Sequence, residues 1–152
     1  IALNNDTLGM SLAVNIFKYA LKSRNSNQPM LKIMLRCYDR SNEARMMQIK
    51  MALELVEKYQ KKYNACPVFF VGDMNAVKGS EHITTLEQNF NIISNAQNSV
   101  PVDAPTRCID YVFHYKKSAP VEVTGTATLT RFRTGDPTKT SDHLPVYADV
   151  KF

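Results

Sequence analysis

Pro67-Val68-Phe69-Phe70-Val71 is the stretch that most narrows the architecture. Consecutive apolar residues, β-branched and aromatic, leave no polar side to face water. The run therefore predicts a strand buried on both faces. Such a strand needs a packed layer above it and another below, so helices or a second sheet must cover each side. The run ends abruptly in Gly72-Asp73-Met74-Asn75, a loop-forming sequence placed at the tip of that strand.

The flanking patterns supply the layers. Ser41 precedes a clear helical pattern over 42–63, in which Ala44, Met47, Met51, Leu55 and Tyr59 recur at helical spacing and predict the packed face. The methionines at 34, 46, 47 and 51 read as core filling. Met30 to Cys37 reads as a short buried strand. Residues 8–22 read as another helix, with Asp6 or Thr7 as cap and Leu8, Leu12, Ile16 and Tyr19 on one stripe. A short helix follows Ser80, and Phe90 to Ile93 and Ile109 to Tyr115 read as strands. Val121, Val123, Gly125, Ala127 and Leu129 alternate with polar residues, as do Val146, Ala148, Val150 and Phe152 along the last stretch. Helices in the first half and antiparallel-looking strands in the second point to an α/β (α+β) domain of helices stacked on sheet.

Composition excludes several classes. With 152 residues, 44% hydrophobic and 22% charged, the chain suits one domain over 1–152 and does not suit a disordered or collagen-like polymer. No run of about 18 apolar residues predicts a membrane span, and no signal-peptide pattern opens the chain. The first residue, Ile1, predicts a processed or trimmed start. Cys37, Cys66 and Cys108 are odd in number and widely spaced, which predicts buried thiols rather than a disulfide framework or metal cluster. The net charge of +5 favours phosphate-bearing partners. The basic residues are scattered, however, and the densest group, Lys58-Tyr59-Gln60-Lys61-Lys62, suits a helix C-terminus.

Three segments place acidic or histidine side chains at strand ends: Gly72-Asp73-Met74-Asn75, Asp110 in Cys108-Ile109-Asp110-Tyr111-Val112-Phe113, and Ser141-Asp142-His143-Leu144-Pro145-Val146. Strand ends and their loops are where reactive groups are displayed. A carboxylate beside a histidine can bind a hard cation, activate a water or hold the imidazole in one tautomer. An asparagine can donate to a developing oxyanion without adding charge. Taken singly, each segment also suits ordinary turn or cap chemistry.

In their order and spacing, these segments resemble the endonuclease/exonuclease/phosphatase superfamily, whose patterns are GDxN, a DY-containing strand and a C-terminal SDHxPV. Arg40-Ser41-Asn42-Glu43-Ala44-Arg45-Met46-Met47-Gln48 is similar to the helix start that follows the family's TH motif. The likeness covers roughly residues 36–152, its C-terminal half. It implies a DNase-like four-layer α/β sandwich, here incomplete, and a metal-dependent hydrolase of phosphate esters. By resemblance, His143 contacts the scissile phosphate or helps activate water, and Asp110 fixes the histidine tautomer. Asp73 orients or deprotonates the attacking water, Asn75 donates to a phosphate oxygen, and Asp142 helps hold Mg²⁺ or Mn²⁺. The substrate would be a phosphate ester in a nucleic acid, phosphoinositide or sphingolipid, a choice the sequence leaves open.

Residues 1–35 do not match the family. The family's metal-binding Glu is not found there, and the TH histidine position falls on Arg36, or on Cys37 with one deletion. Arg36 would still bind phosphate as a cation. Two further readings follow. One is a catalytically impaired family member that acts as a binding or assembly module. The other is a plain nucleic-acid binder driven by charge. An incomplete sandwich would also expose sheet edges and apolar faces, which predicts a compensating homodimer or an unusual packing of the N-terminal helix.

Overall fold

The computed structural model describes residues 15–17, 31–34, 41–62 and 66–152. The elements run β1 (Asn15–Phe17), β2 (Leu31–Met34), α1 (Asn42–Lys62), β3 (Val68–Asp73), α2 (Glu81–Asn89), β4 (Phe90–Ile92), β5 (Asp110–Tyr115), β6 (Glu122–Thr128) and β7 (Val146–Lys151), with a 3₁₀ turn at Pro137–Lys139. The first five strands form one sheet in the order β1-β2-β3-β5-β4, and β6 and β7 form a second, two-stranded sheet. The β2–β3 pair is parallel, and the other pairs are antiparallel.

The parallel pair follows from α1, which lies between β2 and β3 in the chain and returns it to the same end of the sheet. Ser41 caps α1 by accepting the Ala44 N–H at 3.1 Å. Glu43 in its first turn and Lys61 and Lys62 in its last turn suit the helix dipole. Ser80 caps α2 in the same way, through the Ile83 N–H. His82 of α2 is buried, and its Nε2 meets the Asn42 carbonyl at 3.1 Å, tying the two helix starts together.

Pleating divides the residues of β3 between two environments. Val68 and Phe70 join Tyr111, Phe113 and Tyr115 of β5 and Phe90 of β4 under Ile49, Ala52 and Val56 of α1 and Ile83 and Leu86 of α2. The rings of Phe70, Phe90, Phe113, Tyr111 and Tyr115 stack with centroids 5.2–6.2 Å apart. Phe69 and Val71 face the opposite way, toward Val146, Ala148 and Val150 of β7. Val68, Phe69 and Phe70 are all buried, as the continuous apolar run predicted. Helices, five-stranded sheet and β6–β7 hairpin make three layers among the described residues, an incomplete DNase-like α/β sandwich. No helix among those residues is long and apolar enough to cross a membrane.

Three expectations are corrected. The helix expected over 8–22 is a strand at its centre, because Asn15–Phe17 pairs antiparallel with Lys32–Met34. Sheet pairing there overrides the helical spacing, and the rest of that segment lies outside the described residues. The packed stripe of α1 is Ala44, Gln48, Ile49, Ala52 and Val56. Met51, Leu55 and Tyr59 flank the core, whereas Met47 is 47% exposed and fills none of it. Helical spacing alone leaves neighbouring stripes open, and the stripe that meets the buried residues of β3, β5 and α2 is the packed one. Val123 in β6 and Leu129 just past its end are exposed, and a register shift between Val123 and Gly125 breaks the two-residue period. The alternation along β7 holds. Cys66 is buried as expected, Cys108 is half-buried, and Cys37 lies outside the described residues.

Candidate active site

β3 delivers Asp73 to the end of the sheet and then turns sharply. Gly72 has φ 140°, a region that side chains disfavour. Met74 follows, 2% exposed, with its N–H donated to the Ile109 carbonyl at 2.8 Å, which anchors the loop in the core. Asn75 sits at φ 47°, in the left-handed region that asparagine tolerates best among residues with a side chain. Its backbone N–H donates to Asp73 Oδ1 at 2.8 Å and its Nδ2 to Asp73 Oδ2 at 3.2 Å. This is the local turn chemistry of an Asx motif. From the first turns of α1, Arg45 Nη1 donates to the Asn75 carbonyl at 2.8 Å, and Nη2 donates to Asn42 Oδ1.

β5 runs antiparallel to β3 with Asp110 directly opposite Asp73, so the two carboxylates share a face of the sheet. Asp110 Oδ2 lies 2.7 Å from His143 Nδ1. The side chains of His143 and Asp110 are 23% and 18% exposed, half-shielded but reachable. An ionised carboxylate only accepts hydrogen bonds, so this contact selects the Nδ1–H tautomer of His143. Asp142 Oδ2 stands 3.9 Å from His143 Nε2 and is 85% exposed.

The loop carrying His143 is held by its backbone. The His143 N–H donates to Ser141 Oγ at 3.0 Å. The Leu144 N–H donates to the Ser99 carbonyl at 2.7 Å, and the Val102 N–H donates to the Asp142 carbonyl at 2.9 Å. Buried Leu144 anchors the loop from below. Ser99 Oγ donates to Asp110 Oδ2 at 2.5 Å.

Two hollows adjoin the histidine. One, of about 530 Å³, lies between the sheets, with Phe69, Val71, Val112 and Val150 in its apolar lining and Asp110 and His143 in its wall. The other, of about 120 Å³, is lined by Phe132, Gly135, Pro137 and Thr140 beside His143. Below the site, burial pushes the Tyr111 hydroxyl above its ordinary range, reinforced by its neighbour Cys108. Burial likewise raises the Cys108 thiol.

Asp73, Asn75, Asp110 and His143 are thus gathered at one end of the central strands, with Asp142 at the solvent edge. Arg36 lies outside the described residues. Among the described residues, no group of three or more His, Cys, Asp or Glu side chains could hold a metal ion, so Asp142 does not form a metal cage there. The sequence reading did not single out Ser99 or assign a role to Arg45. Ser99 sits in an ordinary loop sequence, Asn98-Ser99-Val100-Pro101, with no local signal. Arg45 was visible only as part of a helix start.

No protein-family model matches the chain. No curated protein matches it. Solved structures do. A mannosyl-6-phosphatase from Bacteroides thetaiotaomicron superposes with a TM-score of 0.69 at 16% identity, covering 85% of this chain and 54% of its own. An endonuclease/exonuclease/phosphatase family protein from the same organism gives 0.67 at 17% identity, covering 84% and 52%. D. rerio TDP2 complexed with a single-strand DNA product gives 0.65 at 17% identity, covering 96% and 64%. The chain therefore spans about half to two thirds of the length of these neighbours. The fold of this chain is thus similar to that of solved structures that include an endonuclease/exonuclease/phosphatase family protein and TDP2.

Proposed function

We propose that this chain is, or forms part of, a hydrolase of phosphate esters. The Asp110–His143 hydrogen bond carries the reading, because it joins a half-buried carboxylate to an imidazole whose second nitrogen is left for chemistry. In the proposed reaction, a water attacks phosphorus in line with the leaving oxygen. The P–O bond to the new hydroxyl forms as the ester P–O bond breaks. Asp73 orients the water, Asn75 donates to a non-bridging oxygen, and His143, held as Nδ1–H, takes the water's proton on its unprotonated Nε2. The neighbours support the phosphate ester as the common chemistry, since one is named a phosphatase and another holds a DNA product. Nucleic acid, phosphoinositide and sphingolipid headgroups all contain that ester.

Mg²⁺ or Mn²⁺ is proposed as the cofactor on the chemistry of Asp142 and a phosphate substrate, both hard oxygen donors. The described residues do not complete its shell, and no step above passes through the ion. A second reading is a binding or assembly module on the same scaffold, since neither the family's metal-binding Glu nor its TH histidine is found in this sequence.

Hydrolysis of bis(p-nitrophenyl) phosphate with Mg²⁺ or Mn²⁺ separates the two. The enzyme reading expects turnover that His143→Ala abolishes. Equal rates in both proteins, or none in either, favour the module.

A further inference from the structure

Ser99 is fully buried, yet its side chain reaches the site. A buried hydroxyl costs stability unless it is hydrogen-bonded, so its partner is informative. That partner is Asp110 Oδ2 at 2.5 Å, the oxygen that also lies 2.7 Å from His143 Nδ1. Ser99 is itself immobilised. Its N–H donates to the Arg107 carbonyl at 2.9 Å, and its carbonyl accepts from Leu144 at 2.7 Å. Val102, three residues on, donates to the Asp142 carbonyl at 2.9 Å. The 99–102 segment thus grips the backbone on both sides of His143, while the Ser99 hydroxyl grips the carboxylate.

Two donors converging on one oxygen restrict the carboxylate strongly. Asp110 cannot rotate about its Cβ–Cγ bond to exchange oxygens without disturbing both contacts. Packing alone would be served by an alanine or a cysteine at this position, neither of which would restrain Oδ2 as a hydroxyl does.

We propose that Ser99 is a positioning residue of the hydrolytic site. Its hydroxyl fixes Asp110 Oδ2, which keeps His143 in the Nδ1–H tautomer with the unprotonated Nε2 presented to the attacking water. The assignment rests on the reading of Asp110 and His143 as the working pair.

Two measurements on the full chain test it, one of them independent of turnover. Long-range ¹H–¹⁵N spectra at a pH where the ring is neutral report the tautomer of His143 in wild type, Ser99→Ala and Ser99→Cys. The expected result is Nδ1–H in wild type and a mixture with the Nε2–H form in Ser99→Ala. Ser99→Cys, a weak donor of similar shape, falls between them. In steady-state hydrolysis of bis(p-nitrophenyl) phosphate, kcat falls about 10-fold in Ser99→Ala with KM unchanged. A purely structural role would lower the thermal midpoint and leave tautomer and kcat alone. Retention of the wild-type tautomer in the variants overturns the proposal, as does a change confined to KM. If Ser99→Ala does not fold, the cysteine variant carries the same comparison. If wild type shows no turnover, the hydrolase reading fails while the spectra still decide the role of Ser99.

Discussion

Asp73 and Asp110 stand directly opposite each other on neighbouring antiparallel strands, and each carboxylate has its own set of donors. Like charges in this position destabilise a sheet. Asp73 is met by two N–H groups of Asn75, and Asp110 by Ser99 and His143. The donors offset the repulsion and give the two acids different tasks. Asp110 faces the histidine, and Asp73 braces the loop that carries Asn75 while, in the proposed reaction, it orients the water.

Replacing Asp110 with asparagine separates charge from shape. An amide can offer the two donors only a neutral carbonyl, a weaker acceptor than a carboxylate, so His143 is held less firmly as Nδ1–H and an imidazolium is no longer stabilised by charge. Hydrolysis of bis(p-nitrophenyl) phosphate by Asp110→Asn should fall about 100-fold, the upper range for partners that orient a reactive group. The cross-strand repulsion disappears at the same time, so the melting temperature should change little. A rate equal to wild type would remove Asp110 from the site.

Asn75 combines a backbone constraint with a side-chain function. At φ 47° a side-chain-bearing residue other than Asn or Asp is strained by about 1 kcal/mol, and glycine is not. Asn75→Gly should therefore keep wild-type stability in a urea titration and lose hydrolytic activity. Asn75→Ala should lose both. Activity retained in the glycine variant would mean that only the turn matters.

Arg45 reaches from α1 to the Asn75 carbonyl, spanning 30 positions of sequence. Its two contacts use the fork of the guanidinium, so lysine does not replace it. Arg45→Lys and Arg45→Ala should both cost about 1 kcal/mol in stability and lower kcat by loosening the Asp73–Asn75 turn. Measuring both quantities tests the link, and a kcat unchanged in either variant would break it.

The parts of this architecture that were readable are those set by local pattern. The continuous apolar run at 67–71 requires cover on both faces, and Val68, Phe69 and Phe70 have it. Ser41 and Ser80 announced their helices because a cap acts within one turn. The strand ends bearing Asp73, Asp110 and the loop of His143 were likewise placed by sequence. What stayed hidden depends on partners far along the chain. Asn15–Phe17 is extended because β2 offers it a ladder, against its helical spacing. The rotated stripe of α1 depends on which of its faces meets the buried residues of β3, β5 and α2. Ser99 matters only because Asp110 and Leu144 arrive beside it.

Two buried tyrosines of β5 make alkaline pH a probe of the fold. Burial raises the hydroxyls of Tyr111 and Tyr115 above their ordinary value of 10.0, and burial raises the Cys108 thiol above 9.0. Each raised group holds its proton longer in the folded chain than in the unfolded one. Above these ordinary values the native state binds more protons, so stability falls as pH rises. Below pH 9 all three groups are mostly neutral in both states and contribute no slope. The thermal midpoint should therefore be insensitive to these groups near pH 7 and fall steadily above pH 9. Tyr111 is 1% exposed and donates to the Cys108 carbonyl at 2.9 Å, so Tyr111→Phe should lower the midpoint at neutral pH. The same variant should fall less steeply between pH 9 and 11, because one of the three groups can no longer ionise. Parallel pH profiles for Tyr111→Phe and wild type would show that Tyr111 does not couple ionisation to folding.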